Sequence, residues 1–153
     1  MKTSHLHRAL VSNTHTYAIY GGIFPRDRLP LYLRNRRPLG IIANTHRAHQ
    51  PGQHWVAFYF DRQGYATYFD SYGLPPKPRE FRRFLNNNAS SYVFNTKRIQ
   101  GNDTTCGMYC LYFLYSMSRD QGRMLRHLPN RRLYINDRWI RQWVKNSFNI
   151  NFH

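Results

Sequence analysis

The stretch from Cys106 to Ser118 carries no charged side chain, in a chain that otherwise holds 23 Lys and Arg among its 153 residues. Its apolar residues fall on every face of a helical wheel, so a helix here has to be buried all round. The segment predicts a central helix that the rest of the chain wraps. With 41% hydrophobic and 16% aromatic residues there is material for that wrapping, and wholesale disorder is excluded. A chain of this length suits one domain over 1–153, with 1–15 read as a short helix or a flexible arm.

The segments around the central helix are of mixed type. Gly21 to Pro38, rich in Gly, Pro and charge, reads as loop. Leu39 to Ala43 reads as a short buried strand, and Thr45 to Gln53 as a polar loop. His54 to Phe60 and Tyr65 to Phe69 are rich in strand formers, and Asp61-Arg-Gln-Gly64 between them reads as a hairpin turn. Ser71 to Pro78 is a loop. Pro78 opens a helix over Arg79 to Leu85, which the Asn86-Asn-Asn run ends. Tyr92 to Ile99 reads as a further strand. Arg119-Asp-Gln-Gly122 closes the central helix, and Asn136 or Asp137 is expected to cap a last one. Strands, a buried helix and flanking helices in this order make an α+β fold.

The formal net charge is +16, and Arg supplies most of it against seven Asp and Glu. Such a balance implies a polyanionic partner, with nucleic acid favoured over a membrane surface because no long basic amphipathic helix is present. The clusters are Arg34, Arg36 and Arg37; Lys77, Arg79, Arg82 and Arg83; Arg131 and Arg132; and Arg138, Arg141 and Lys145. Tyr32, Phe81, Tyr134 and Trp139 lie among them and would suit base stacking. Backbone binding without sequence preference is the expectation, and it predicts steep weakening with salt. No segment is long and apolar enough to span a membrane, and Met1 to Tyr20 lacks the apolar run of a secretory signal. The two cysteines, Cys106 and Cys110, make no disulfide framework, so a reducing compartment is expected.

Cys106 opens the central helix, after Thr104 and Thr105, which are read as caps. The positive end of the helix dipole favours thiolate there. Gly107 leaves space beside the sulfur. A thiolate nucleophile needs a base, an orienter for that base and an oxyanion hole. His54 begins the first hairpin strand and Asp70 ends the second. A turn centred on Arg62-Gln63-Gly64 pairs residue 54 with one of residues 70 to 72, so Asp70 should lie beside the imidazole. Asp61, the rival acid, sits at the far end in the turn. Gln100 enters the helix from a loop, and its amide can donate to an oxyanion alongside the Cys106 N–H.

Gly22-Ile-Phe-Pro-Arg-Asp-Arg-Leu-Pro30, Ile41-Ile-Ala-Asn44, Gln53-His-Trp-Val-Ala-Phe58, Tyr68-Phe-Asp-Ser-Tyr-Gly73 and Gln100-Gly-Asn-Asp-Thr-Thr-Cys-Gly-Met-Tyr-Cys110 stand in one order along the chain. In this the sequence resembles the adenovirus-type cysteine endopeptidases (adenain) and their relatives among the SUMO and ubiquitin-like-protein proteases. The resemblance implies His54 as base, Asp70 as third member, Gln100 as oxyanion donor and Cys106 as nucleophile. It implies a mixed sheet packed on a central helix that starts at the Cys. It also implies cleavage after Gly in Gly-Gly or Gly-X-Gly contexts, with Trp55 as a candidate wall of a narrow channel. Viral precursor proteins would be the substrates, in the virion and host nucleus, for virion maturation by a late protein. DNA would act as an activator, and no cofactor is required for the chemistry. The adenovirus enzymes carry Glu where Asp70 stands, whereas the SUMO-protease branch carries Asp. That branch also shares the spacing of Gln100 to Cys106.

An activating peptide that pairs by disulfide finds no Cys between His54 and Cys106, so its need stays open. Cys110 is read as core. A zinc site built on His46, His49 and His54 would need Cys106 and Cys110, and no metal is expected. Ile19-Tyr-Gly-Gly22-Ile23 resembles a cleavage pattern but is read as structural. A monomer is expected. Two other readings remain: a deconjugating enzyme for a ubiquitin-like modifier, and a non-enzymatic basic protein that coats nucleic acid.

Overall fold

The computed structural model describes residues 1–34, 36–102, 104–128 and 132–148. Its centre is a five-stranded sheet: β1 (Tyr20–Phe24), β2 (Leu39–Asn44), β3 (Trp55–Phe60), β4 (Tyr65–Phe69) and β5 (Ser91–Phe94), in that spatial order. β1 runs parallel to β2, and β5 parallel to β4, while the inner pairs are antiparallel. The sheet is therefore mixed. Around it lie α1 (Thr3–Ser12), α2 (Thr14–Ala18), α3 (Arg79–Asn88), α4 (Cys106–Asp120) and α5 (Leu133–Phe148).

Every residue of β2 is buried. A strand covered on both faces reads as an uninterrupted apolar run, which is what Leu39 to Ala43 shows. One face, with Ile41, Phe58, Phe60 and Tyr68, packs on Phe81, Phe84 and Leu85 of α3. The other, with Ile42, Ala57 and Phe69, packs on α4. α4 is enclosed further by Leu6 and Leu10 of α1 and by Ile140 and Val144 of α5. The wholly apolar stretch is thus surrounded as its composition requires. Aromatic pairs hold both faces, including Phe69 stacked on Phe113 at 4.7 Å and Phe58 edge-on to Phe84 at 5.2 Å.

Several boundaries differ from the sequence reading. The start of the loop assigned to Gly21–Pro38 is β1, an edge strand of half-buried residues, and Arg37-Pro38 is a cis peptide. Gly-Gly reads as a turn locally, but here it lets the edge strand lie close to Leu39 and Ile41. The segment 1–15 is helical, and the Gly22 pattern is part of the paired sheet. β5 stops at Phe94, and residues 95–100 turn away to approach α4. α5 starts at Leu133, so neither Asn136 nor Asp137 is a cap. Both are buried inside its second turn.

Candidate active site

The β3–β4 register pairs Ala57 with Phe69. Continued to the strand ends, it puts His54 opposite Tyr72 and diagonal to Asp70. The imidazole stacks on the Tyr72 ring at 4.5 Å, and Nε2 meets Asp70 Oδ1 at 2.8 Å. The guanidinium of Arg98 covers Tyr72 from beyond, 4.8 Å from its ring centre. Asp70 is itself tightly placed. Its Oδ1 also accepts from the Tyr72 N–H at 2.8 Å, and Asn95 grips its backbone N–H and carbonyl at 2.9 and 2.7 Å.

With Nε2 committed to Asp70, Nδ1 is the nitrogen free for chemistry. It is buried and has no partner in hydrogen-bond geometry. Burial opposes charge on the ring. The hydrogen bond to Asp70 and the interaction with Cys106 outweigh it and raise the His54 pKa to about 9. Cys106 starts α4 with its sulfur 3.4 Å from the Trp55 N–H. The structure therefore brings His54, Asp70, Cys106 and Trp55 together.

Gln100 is completely buried in the loop before α4. Its side-chain oxygen accepts from Ser71 Oγ, and its amide donates to the Asn102 carbonyl. Ile99 N and Gln100 N both donate to the Ser71 carbonyl, which ties this loop to the end of β4. The Thr caps are not formed. Thr105 Oγ1 donates to the Asn102 carbonyl and Asp137, and Thr104 Oγ1 to Asn102 Oδ1, which turns both hydroxyls into the preceding loop and α5. The room beside Gly107 exists but is filled. A Cβ there would meet Met1 Sδ at 2.7 Å and Leu6 at 3.3 Å. Trp55 is largely buried, and its Nε1 donates to the Met1 carbonyl at 3.0 Å.

Two cavities meet the site. One of about 390 Å³ reaches Cys106 and Trp55 past Met1, Asn44 and Gly52. The other, of about 630 Å³, reaches His54, Asp70 and Tyr72 past Lys77 and Arg98. Gln53 lines both. The loop between β2 and β3 is pinned from outside: Asp27 accepts from the Ala48 N–H, and Glu80 pairs with Arg26 and Arg47. His46 is engaged with Gln53 and Gly52, away from any cysteine. Among the described residues, no three His, Cys, Asp or Glu side chains gather as a metal-binding set. Cys110 is fully buried one turn after Cys106, and burial pushes its thiol well up.

The basic clusters lie around this centre, with Lys77 on the cavity beside His54 and Arg141 bonded to Thr104. Arg79, Arg82 and Arg83 share an exposed face of α3, and Arg138, Arg141 and Lys145 an exposed face of α5. Arg34, Arg36, Lys77 and Arg132 are exposed, and Arg37 lies half-buried over Phe60. Arg131 falls outside the described residues. Phe81 and Trp139 are not available for stacking on bases: Phe81 is in the core under α3, and Trp139 packs edge-on to Tyr112. Tyr32 and Tyr134 are exposed.

Sequence reasoning missed Tyr72, Asn95 and the α5 pair Asn136–Asp137 as site components. Only Tyr72 had a signal, since the turn arithmetic admits it opposite His54.

A buried imidazole held between a carboxylate and a helix-terminal thiol, on a mixed sheet packed against that helix, is the constellation of a cysteine protease. The chain belongs to the adenovirus endoprotease family, whose sequence model matches residues 20–134. It is 27% identical over 124 residues to the protease of porcine adenovirus A serotype 3, covering 71% of this chain and 60% of that one. It is 32% identical over 89 residues to a putative thiol protease of Acanthamoeba polyphaga mimivirus, covering 52% of this chain and 30% of that one. The chain thus spans less than two thirds of the length of these relatives. Two solved structures share the fold. An ASFV protease aligns with a TM-score of 0.51 at 24% identity, covering 78% of this chain and 47% of that one. ChlaDub1 from Chlamydia trachomatis aligns with a TM-score of 0.53 at 17% identity, covering 72% and 60%.

Proposed function

We propose that this protein is a cysteine endopeptidase that cleaves after Gly in precursor proteins of a virus or virus-like element. The observation that carries the reading is the His54 ring. It is bonded to Asp70 through Nε2, and its buried Nδ1 is left to serve Cys106.

His54 Nδ1 takes the Cys106 thiol proton, and the thiolate attacks the scissile carbonyl carbon. A C–S bond forms as the carbonyl π pair moves to oxygen. The Cys106 N–H and the Gln100 amide receive that charge, which requires the Gln100 amide to turn from Asn102. His54 Nδ1–H then protonates the leaving amine as the C–N bond breaks, and Asp70 keeps the ring oriented in both its charged and neutral forms. Water, deprotonated by His54, attacks the thioester and releases the acid and the thiol. Trp55 forms one wall of the approach to Cys106, and Gly107 keeps the backbone beside the sulfur slim.

The Arg-rich faces of α3 and α5 support contact with DNA through its phosphates. DNA would tether enzyme and substrate and raise their effective concentration. Virion and host nucleus are the places where such a partner and such substrates meet. A folded ubiquitin-like modifier is the second substrate reading, favoured by Asp at position 70 and the short spacing from Gln100 to Cys106.

The test is labelling with an electrophilic Gly-Gly peptide probe, for wild type and His54→Ala, with and without DNA, across a salt series. Labelling at Cys106 that disappears in His54→Ala supports the site. Enhancement by DNA that vanishes at several hundred millimolar salt supports the nucleic-acid coupling. No labelling of folded wild-type protein under any condition rejects the reading. A modifier-derived reporter turned over far faster than a short Gly-Gly peptide would favour deconjugation.

A further inference from the structure

Asp137 is a buried carboxylate in a chain with few acids, and it lies outside both the residues matched to the family and the Cys106–His54–Asp70 set. Its partners are specific. Oδ1 accepts from Tyr109 OH at 2.8 Å and from Thr105 Oγ1 at 3.1 Å, and both carboxylate oxygens lie 3.2 Å from the Gly101 N–H. Its neighbour Asn136 donates from Nδ2 to the Ile99 carbonyl at 2.9 Å, and Tyr109 OH also reaches that carbonyl. Every one of these contacts falls on the loop from Ile99 to Thr105 or on the first turn of α4. That loop carries Gln100 and delivers Cys106.

The approach is close. A Cβ on Gly101 would sit 2.9 Å from Leu133 Cβ and 3.2 Å from Asp137 Oδ2, so the loop backbone is seated directly on α5. From the other side, the Ser71 carbonyl holds Ile99 N and Gln100 N. Arg141, one turn after Asp137, donates to Thr104 Oγ1 at 2.8 Å. The loop is thus clamped between the end of β4 and α5.

We propose that Asp137, seconded by Asn136, is a positioning residue that sets the oxyanion-binding loop, fixing the backbone from which the Gln100 amide turns to a developing oxyanion and the Cys106 N–H that meets it. This rests on the protease reading above. The carboxylate fits that task because it can accept three hydrogen bonds at once, from Gly101 just after Gln100 and from Thr105 and Tyr109 on either side of Cys106. A neutral hydroxyl, with two lone pairs, could not accept all three. The imidazole side of the site is built on β3 and β4 and does not touch Asp137.

That separation gives the test. Alkylation of Cys106 by iodoacetamide expels iodide and places no charge on a carbonyl oxygen, so it reads the thiolate and His54 alone. Hydrolysis of a Gly-Gly peptide needs the oxyanion hole as well. Both rates are measured against pH for wild type, Asp137→Ala, Asp137→Asn and Tyr109→Phe. The expected loss in kcat is about 100-fold for Asp137→Ala and about 10-fold for Asp137→Asn, with KM within about twofold, as for an impaired oxyanion donor. The alkylation rate and its pH profile stay as in wild type, and Asn recovers part of the loss. If Asp137→Ala does not fold, Asp137→Asn and Tyr109→Phe carry the comparison. The proposal is overturned if kcat is unchanged in the folded variants, if the loss is in KM, or if alkylation falls in step with kcat. A wild type that alkylates but hydrolyses no peptide overturns the protease reading itself, and this inference with it.

Discussion

The two halves of the site are built in different ways. His54 and Asp70 come from one hairpin, β3–β4, whose register alone brings them together across a short turn. Asn95, just past β5, then locks Asp70 from the neighbouring segment. Gln100 and Cys106 come from a loop and a helix start that no local pairing fixes. They are held on one side by α5, through residues far along the chain, and on the other by Ser71 at the end of β4. The base is a product of sheet geometry, whereas the nucleophile and the oxyanion loop depend on a distant helix docking correctly. Damage on the α5 side should therefore leave the imidazole half legible.

The largest expected effect is chemical and confined. Cys106→Ala removes the nucleophile, and peptide hydrolysis should fall by roughly 10⁴-fold or more while thermal stability stays close to wild type. A Cys106→Ala variant that melts far lower would mean that the sulfur is chiefly a packing group.

Next comes the opposite face of the sheet. Phe58 is completely buried among Tyr68, Phe81 and Phe84. Phe58→Ala should cost about 3–5 kcal/mol of unfolding free energy, read by denaturant titration. The surviving folded fraction should keep the wild-type pH profile, because His54 lies at the strand end four residues from Phe58 and Cys106 packs against the other face.

Asp70→Asn targets the hairpin half. The carboxylate is one of the groups that lift His54 to about 9, so its loss brings the imidazolium pKa down. The alkaline limb of kcat/KM, near pH 9 in wild type, should move to lower pH, with a loss of about 10–100-fold at pH 8. The sign for stability follows from the same shift. A His raised in the folded state stabilises it fully below its unfolded pKa of about 6.5, and that contribution is lost as pH rises through about 9. The wild type should therefore lose stability between those two pH values, and Asp70→Asn should lose less. A pH-independent difference between the two proteins over that window would remove His54 as its source.

The smallest effect belongs to Arg141→Ala, which deletes one exposed hydrogen bond to Thr104. Hydrolysis should change by less than about fivefold, in keeping with a surface contact of below about 1 kcal/mol. A larger loss would show that the clamp on the oxyanion loop runs through the rim of α5 rather than through Asp137.

How much of this was readable from the sequence differs by element. β3, β4 and their turn were legible because strand-forming residues flank a single Gly64 turn, and counting from that turn confines the partner of His54. α4 was legible because charge is absent from it. β1 was hidden, since Gly21 and Gly22 look like a turn until Leu39 and Ile41 are placed against them. Thr105 looked like a cap because a hydroxyl before a helix usually accepts from its first amides. Here the hydroxyl donates to Asp137 and is oriented by it.

The central helix, the hairpin and the candidates His54, Asp70, Gln100 and Cys106 were readable along the chain, because period, turn chemistry and helix-end position act over a few residues. Only the tertiary structure decided which nitrogen of His54 faces the thiol, that Met1 fills the room beside Gly107, and that Asp137 is an anchor rather than a cap. Each of those depends on a partner brought from far along the chain. Burial that pairs a carboxylate on α5 with the first turn of α4 leaves no periodic trace in either segment.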